Sequence, residues 1–124
     1  MINLFNLDIY IFARKISNFA WSIMKQLPSE FRYHPGNQFV RSADSVGANI
    51  AEGYGRFAYK DKIRFHIIAR GSLVESIHWT KIMLDQNIIP HETLEQFEIL
   101  LYQELRMLNN YIKYLQKKLK TTTT

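Results

Sequence analysis

Apolar residues return at three- and four-residue steps along four consecutive segments of this chain, the spacing that places them on one face of an α-helix. The segments are 8–27, 38–52, 61–87 and 92–119. Proline residues or a close pair of glycines separate them. Short connections between long helices favour antiparallel neighbours. The sequence therefore predicts an all-α protein, folded as an antiparallel up-down four-helix bundle.

The last segment has the clearest pattern. Leucine recurs every seven residues, and further apolar residues flank these positions, which is the heptad seam of helices that pack at a shallow angle. The seam consists of Leu94, Leu101, Leu108 and Leu115, flanked by Phe97, Leu105, Ile112 and Leu119. We expect this helix to present one long face to the core.

The second segment carries small residues on its apolar face. Ala43, Gly47 and Ala51 are spaced by four, and glycine inside a helix costs roughly 1 kcal/mol relative to alanine. We therefore expect a neighbouring backbone to approach closely along this stripe. Gly53 follows the segment and is predicted to be a left-handed C-terminal cap.

The third segment has apolar residues on more than one side, which suggests burial both within the bundle and against another subunit. One stripe is Ile63, Ile67, Val74, Ile77 and Leu84, and the other is Phe65, Ile68, Ser72, Trp79 and Ile82. A further stripe of small residues, Ala69, Ser72 and Ser76, is predicted to allow close packing. From the second stripe we predict an oligomer interface formed by Phe65, Ile68, Ser72 and Trp79.

Chain length and residue usage favour one domain in a reducing compartment. A chain of 124 residues suits a single domain, predicted over residues 1–120, with a polar tail at 121–124 that frays. Cysteine is absent, which excludes disulfides and thiolate metal sites. Neither a signal peptide nor a membrane-spanning stretch is visible, so a cytoplasmic location is expected.

Motifs that resemble catalytic or cofactor sites lack the required context. Residues 53–58 match GxGxxA, but they follow a predicted helix rather than a strand, which favours a cap and turn. Residues 22–25 match SxxK, without the companion motifs of acylating enzymes. The four histidines, at 34, 66, 78 and 91, lack metal-ligand spacing, and we expect surface or hydrogen-bonded roles for them. We predict no metal, no cofactor and no catalytic activity.

The formal charge of +5 includes one dense basic cluster. It contains Arg56, Lys60, Lys62, Arg64 and Arg70, with Tyr54, Phe57, Tyr59 and Phe65 interleaved and Asp61 as the single acid. Cations beside aromatic rings suit phosphate contacts and base stacking. The alternative is a solvated face or a set of ion pairs, in which Arg64 or Arg70 binds Glu52 or Glu75. Lys62, His66 and Arg70 step by four and share one helix face.

A second group of cations ends the last helix. Lys113, Lys117 and Lys118 are candidates for an additional nucleic-acid contact. They also suit the negative end of the helix dipole, just as the acids at 92, 95 and 98 suit its positive end. Both interpretations stay open.

Two stretches resemble the signature of a known bacterial family. They are RSADSVGANIAEGYGR at 41–56 and FHIIARGSLVE at 65–75. The family comprises four-helix-bundle proteins first noticed as reading frames inside intervening sequences of 23S ribosomal RNA genes, sometimes labelled S23 ribosomal proteins. The resemblance extends from about Leu7 to Leu119. Many members carry proline where this chain has Gly47, and a bulky apolar residue where it has His66.

The resemblance implies a homopentamer with a role linked to nucleic acid. A related branch is the accessory variability protein of diversity-generating retroelements, a basic pentameric bundle that binds reverse transcriptase, with template RNA as a further expected partner. Our first hypothesis is a non-enzymatic, RNA-associated accessory protein that shows salt-sensitive binding to structured RNA. The second is a protein-interaction scaffold, and an enzyme ranks last.

Overall fold

The computed structural model describes residues 3–122, and within this range the chain is helical with no β-strand. A short 3₁₀ turn at Leu4–Asn6 precedes the first long helix. The long helices are α1 (Asp8–Gln26), α2 (Asn37–Tyr54), α3 (Tyr59–Gln86) and α4 (His91–Thr122). All four lie within three residues of the bounds predicted from the sequence.

Neighbouring helices run antiparallel. Arg41, early in α2, binds Glu75 late in α3, whereas Gly53 at the end of α2 contacts His66 near the start of α3. The same reversal relates α3 to α4, where the hydrogen-bonded pairs are Arg70–Asn109 and Lys81–Glu98. Since α1 packs against both α2 and α4, the four helices close into an up-down bundle.

The core lies along the central axis of the bundle. All four leucines of the predicted α4 seam are buried, together with Phe97 and Ile112, which confirms that pattern. An aromatic cluster fills one end of the core, where the ring centroid of Phe97 lies 5.2 Å from that of Phe39 and 5.3 Å from that of Phe19. In α1 the buried residues also recur at helical spacing, at Ile9, Ala13, Ile16, Ala20 and Ile23.

The predicted role of Gly53 was wrong. Helix α2 continues through Gly53 to Tyr54, and no glycine in residues 3–122 has a positive φ. Gly53 is instead a close-packing residue, because a Cβ atom there would lie 2.8 Å from two ring atoms of His66. At Gly47 the predicted close approach of a neighbouring backbone is not seen, because the one atom of the described residues near an added Cβ is the Ala13 methyl carbon, at an ordinary contact distance of 3.4 Å.

Neither of the two apolar stripes predicted for α3 is its core face. The buried residues form a different stripe, made of His66, Ala69, Leu73, Ser76, Thr80 and Met83. Two of them, Ala69 and Ser76, belong to the predicted small-residue stripe, whose third member, Ser72, is half-buried. Ile67 and Val74, expected in the core, are exposed. The small polar members are accommodated by hydrogen bonds: Ser76 Oγ donates to Ser42 Oγ of α2 at 3.0 Å, and Thr80 Oγ1 donates to the Ser76 carbonyl at 2.7 Å.

The connections are short. Between α1 and α2 lie a single helical turn at Ser29–Phe31 and an irregular turn at Arg32–Gly36. Asn87, with a left-handed φ of 54°, ends α3 as a C-terminal cap. The predicted polar tail begins inside α4, where Thr121 and Thr122 are helical, and residues 123–124 lie outside the described part of the chain.

Candidate nucleic-acid interface

Charge is segregated along the bundle axis. We call the part formed by residues 3–15, 48–69 and 107–122 the basic half, because contacts between the helices bring these segments together at one end of the bundle. It holds ten of the sixteen Lys and Arg residues but three of the eleven Asp and Glu residues, which gives +7. The other half holds the remaining six cations and eight acids, a formal charge of −2 that includes the buried Glu104 described below. The modest net charge therefore conceals a strongly cationic end.

The turn between α2 and α3 forms the tip of the basic half. Phe57 lies in this turn and is 100% exposed. An open cleft of about 590 Å³ begins at Phe57 and is lined by Tyr59, Lys60, Lys62 and Leu119. The tip thus combines an uncovered aromatic ring with ammonium groups from α3.

Two arginines of the predicted cluster share one ring. The guanidinium carbons of Arg56 and Arg64 each lie 4.7 Å from the centroid of Phe65. Each arginine also has a local carboxylate, Glu52 at 3.0 Å from Arg56 and Asp61 at 3.9 Å from Arg64. Both side chains remain exposed, so these pairs orient the cations without removing them from solvent.

The face shared by Lys62, His66 and Arg70 does not point to solvent. Lys62 Nζ donates to the Tyr54 carbonyl at 2.8 Å, and partial burial lowers its pKa. Arg70 Nη1 donates to Asn109 Oδ1 at 3.0 Å, so its predicted partners Glu52 and Glu75 were wrong. Lys62 and Arg70 therefore serve first as structural links between helices.

His66 meets the expectation of a hydrogen-bonded histidine through only one of its ring nitrogens. Its ring is fully buried, and Nδ1 lies 2.6 Å from the Lys62 carbonyl, which can only accept a hydrogen bond. Nδ1 is therefore the protonated nitrogen, and Nε2 has no partner within residues 3–122. Burial lowers the pKa of His66, which keeps the imidazole neutral.

The lysines of α4 extend the basic half. Lys113, Lys117 and Lys118 are exposed, and the antiparallel register of α3 and α4 places them at the same end as Lys60. Lys118 Nζ lies 5.6 Å from the centroid of Tyr114, a cation–π contact on the helix surface. The two candidate groups predicted from the sequence thus lie at the same end of the bundle, with the exception of Arg70, which falls just outside the basic half and binds Asn109.

Of the four residues predicted to form an oligomer interface, three are partly buried within the subunit and one is exposed. Trp79 is half-buried and bound within its own subunit, where Nε1 donates to Glu75 at 3.0 Å. Phe65 lies beneath the two arginines described above, and Ser72 is half-buried. Ile68 is 42% exposed, so among the four it offers the clearest apolar surface.

Apolar surface on α3 continues beyond the predicted set. Ile67 is 40% exposed and Val74 is 52% exposed. Gly71 lies between them with open space around its Cα. We call Ile67, Ile68, Gly71 and Val74 the α3 ridge; its members recur at three- and four-residue steps, so they share the outer face of the helix.

Sequence reasoning missed one buried acid. Glu104 of α4 is 0% exposed, and neither carboxyl oxygen has a hydrogen-bond partner in the described chain. Burial raises its pKa from 4.5 to about 9. The signal was present, because Glu104 lies three residues after Leu101 and four before Leu108, at a seam position.

Several sites that other functions would need are not found in residues 3–122. No three His, Cys, Asp or Glu side chains lie close enough together to hold a metal ion. No helix in this range has the length and apolar content required to span a membrane. The GxGxxA match at 53–58 spans the end of helix α2 and the turn after it, as the cap-and-turn interpretation predicted in part.

Comparisons with known proteins agree with the bundle. No curated protein matches the sequence. Among solved structures, a protein of unknown function from the S23 ribosomal protein family of Bacteroides thetaiotaomicron has a TM-score of 0.80 and 23% identity. The match covers 85% of this chain and 95% of that one, which shows a shared fold. The family described as 23S rRNA-intervening sequence protein matches residues 5–110, and the chain therefore belongs to that family.

Proposed function

We propose that this protein is a non-enzymatic, homo-oligomeric accessory protein that binds RNA through its basic half. The observation that carries the proposal is the separation of charge, +7 at one end of the bundle against −2 at the other. Phosphate contacts from Lys and Arg supply most sequence-independent affinity for nucleic acid. The family description connects its members with 23S rRNA intervening sequences, which supports RNA as the partner. Such a partner would be met in the cytoplasm.

Oligomerisation would strengthen a weak site. A single basic end offers few phosphate contacts, whereas several copies in one assembly act together and raise avidity without any new contact. The α3 ridge is the surface that we propose for subunit contacts, with a pentamer as the assembly. Apolar side chains exposed in a row on one helix are typical of surfaces that are covered in an oligomer.

Reversing charge at the tip is expected to weaken RNA binding. Lys60 and Lys117 are exposed, so changing both to Glu leaves the helix links of Lys62 and Arg70 intact. We expect at least about a tenfold loss of affinity for a structured RNA, with a shallower dependence of affinity on salt concentration. Fluorescence anisotropy titrations at several salt concentrations measure both quantities.

The matched control changes the same total charge elsewhere. Lys25→Glu with Arg106→Glu replaces two exposed cations in the opposite half. If this double variant lost as much affinity as the first, the position of the charge would be irrelevant and the basic half would not be the site.

Charge on the α3 ridge is expected to break the assembly. Val74→Glu places a carboxylate where we propose that a second subunit packs, and burying an unpaired charge is strongly unfavourable. Light scattering should give about 74 kDa for the unaltered protein, five times the 14.7 kDa chain, and a smaller mass for the variant. Ile11→Glu, on the outer face of α1, is the control and should keep the larger mass. A monomeric unaltered protein would refute the assembly.

A protein-interaction scaffold is the second candidate function. Exposed apolar residues outside both the α3 ridge and the basic half, such as Ile99 at 65% exposure, favour it, because they offer a partner protein such as a reverse transcriptase a place to dock. Affinity capture with and without nuclease distinguishes the two functions. A protein partner that stays bound after nuclease treatment supports the scaffold.

A further inference from the structure

Phe57 is the most exposed large apolar side chain in the described chain, and no other described residue covers it. The position of Phe57 is fixed by the short turn that joins Tyr54 at the end of α2 to Tyr59 at the start of α3. Phenylalanine on a turn tip gains nothing from folding when its ring stays in water. A fully exposed ring at the tip of the basic half therefore indicates contact with a ligand.

The groups around Phe57 are those that a polyanion with flat rings would need. The cleft beside it is lined by Tyr59, Lys60 and Lys62. Lys62 Nζ is held by the Tyr54 carbonyl, and Arg56 is held against Glu52 and the Phe65 ring. Lys62 is thus fixed in place in the cleft beside the Phe57 ring, Arg56 is fixed one residue before Phe57 in the chain, and Lys60 lines the cleft with an exposed side chain.

We propose that Phe57 is a stacking platform for an unpaired base, so that the basic half binds single-stranded RNA in preference to duplex. This inference rests on the proposed function, since it names the form of RNA that the same surface recognises. In an A-form duplex the bases are stacked on one another and the major groove is too narrow for side chains. A duplex can contact the lysines through its phosphates, but it has no free base to place on Phe57. An unpaired strand can make both contacts.

The experiment compares two RNAs and three proteins. The RNAs are a labelled, unstructured strand of about twelve nucleotides, within the range that stacking sites span, and the duplex made from it. The proteins are the unaltered chain, Phe57→Ala and Phe57→Tyr. We expect Phe57→Ala to weaken binding of the single strand by about tenfold, in line with the loss of one base–aromatic stack. Binding of the duplex should be unchanged, and Phe57→Tyr should retain the preference because its ring still stacks.

Each other outcome overturns the proposal, and the outcomes separate it from the proposed function. If the unaltered protein binds neither RNA at low salt, RNA binding itself fails and the stacking platform fails with it. If both RNAs bind and Phe57→Ala affects them equally or not at all, RNA binding stands and the platform alone is refuted. If Phe57→Ala lowers the mass of the assembly, the ring belongs to a subunit contact instead. Circular dichroism of the variant checks the fold, which should be unchanged because the side chain is fully exposed.

Discussion

Replacing Glu104 with Met is expected to raise the free energy of unfolding at pH 7 by about 3 kcal/mol. Glu104 is fully buried without a hydrogen-bond partner in residues 3–122, and burial raises the pKa of its carboxyl group from 4.5 to about 9. At pH 7 the folded chain therefore holds a proton that the unfolded chain releases. Taking up that proton costs about 1.4 kcal/mol for each pH unit above 4.5. Met has a similar shape and no charge, so it removes this cost.

The same argument gives the sign of the pH dependence. The folded pKa is raised, so the stabilisation is complete below about pH 4.5 and is lost as the pH rises towards about 9. We expect the unaltered protein to lose about 1.4 kcal/mol of stability per pH unit through this group between pH 6 and 8. Glu104→Met should remove this contribution from the slope.

Urea denaturation at several pH values, at constant protein concentration, measures both effects. Glu95→Met is the matched control, because Glu95 lies on the exposed face of the same helix. Its slope should follow that of the unaltered protein. Equal slopes for the unaltered protein and Glu104→Met would show that the carboxyl is ionised in the folded state and would contradict the prediction.

Alanine at Gly53 is expected to destabilise the protein by about 2 kcal/mol, whereas alanine at Gly47 should be neutral or stabilise it by up to about 1 kcal/mol. Both glycines are helical residues of α2, but the gain in helix propensity is smaller at Gly53, which lies one residue before the helix ends. Most of the difference comes from the space around the added Cβ atom. A Cβ at Gly53 would lie 2.8 Å from the His66 ring, whereas a Cβ at Gly47 would lie at ordinary contact distance, 3.4 Å from Ala13.

If the His66 ring moved aside, it would lose its packing in the core and its hydrogen bond. It is fully buried, and its Nδ1–H donates to the Lys62 carbonyl at 2.6 Å. A double-mutant cycle with His66→Ala tests this cause, because the stability effects of two substitutions at contacting residues should not be additive. Thermal or chemical denaturation should show a smaller cost for Gly53→Ala when the ring is absent. An equal cost in both backgrounds would attribute the effect to Phe65, whose Cβ lies 3.0 Å from the added atom.

The helices could be predicted from the sequence because most of them carry one apolar stripe. In α4 the leucine repeat located both the helix and its buried face, since residues seven apart return to the same side. The tip of the basic half was also predictable, because Arg56, Lys60 and Phe57 are close in sequence. Local spacing is sufficient for features that a single helix or turn determines.

The remaining features depend on which helices meet. Helix α3 is apolar on several sides, so its pattern does not indicate that Leu73 is buried while Val74 is exposed. The packing role of Gly53 and the Arg70–Asn109 bond depend on the antiparallel register of neighbouring helices. The separation of charge likewise depends on this antiparallel register, because the register places the start of α3 beside the end of α4. None of these is encoded in the spacing along one segment.

The lengthwise separation of charge also determines how an assembly would approach RNA. In a closed ring with rotational symmetry every subunit lies at the same angle to the axis. If the bundles stand along that axis, the cationic tips gather on one rim and the opposite tips on the other. Such a particle is polar, with one side that attracts a polyanion and one that repels it. RNA would dock from a single direction, and the opposite side would stay open to whatever else the complex must hold.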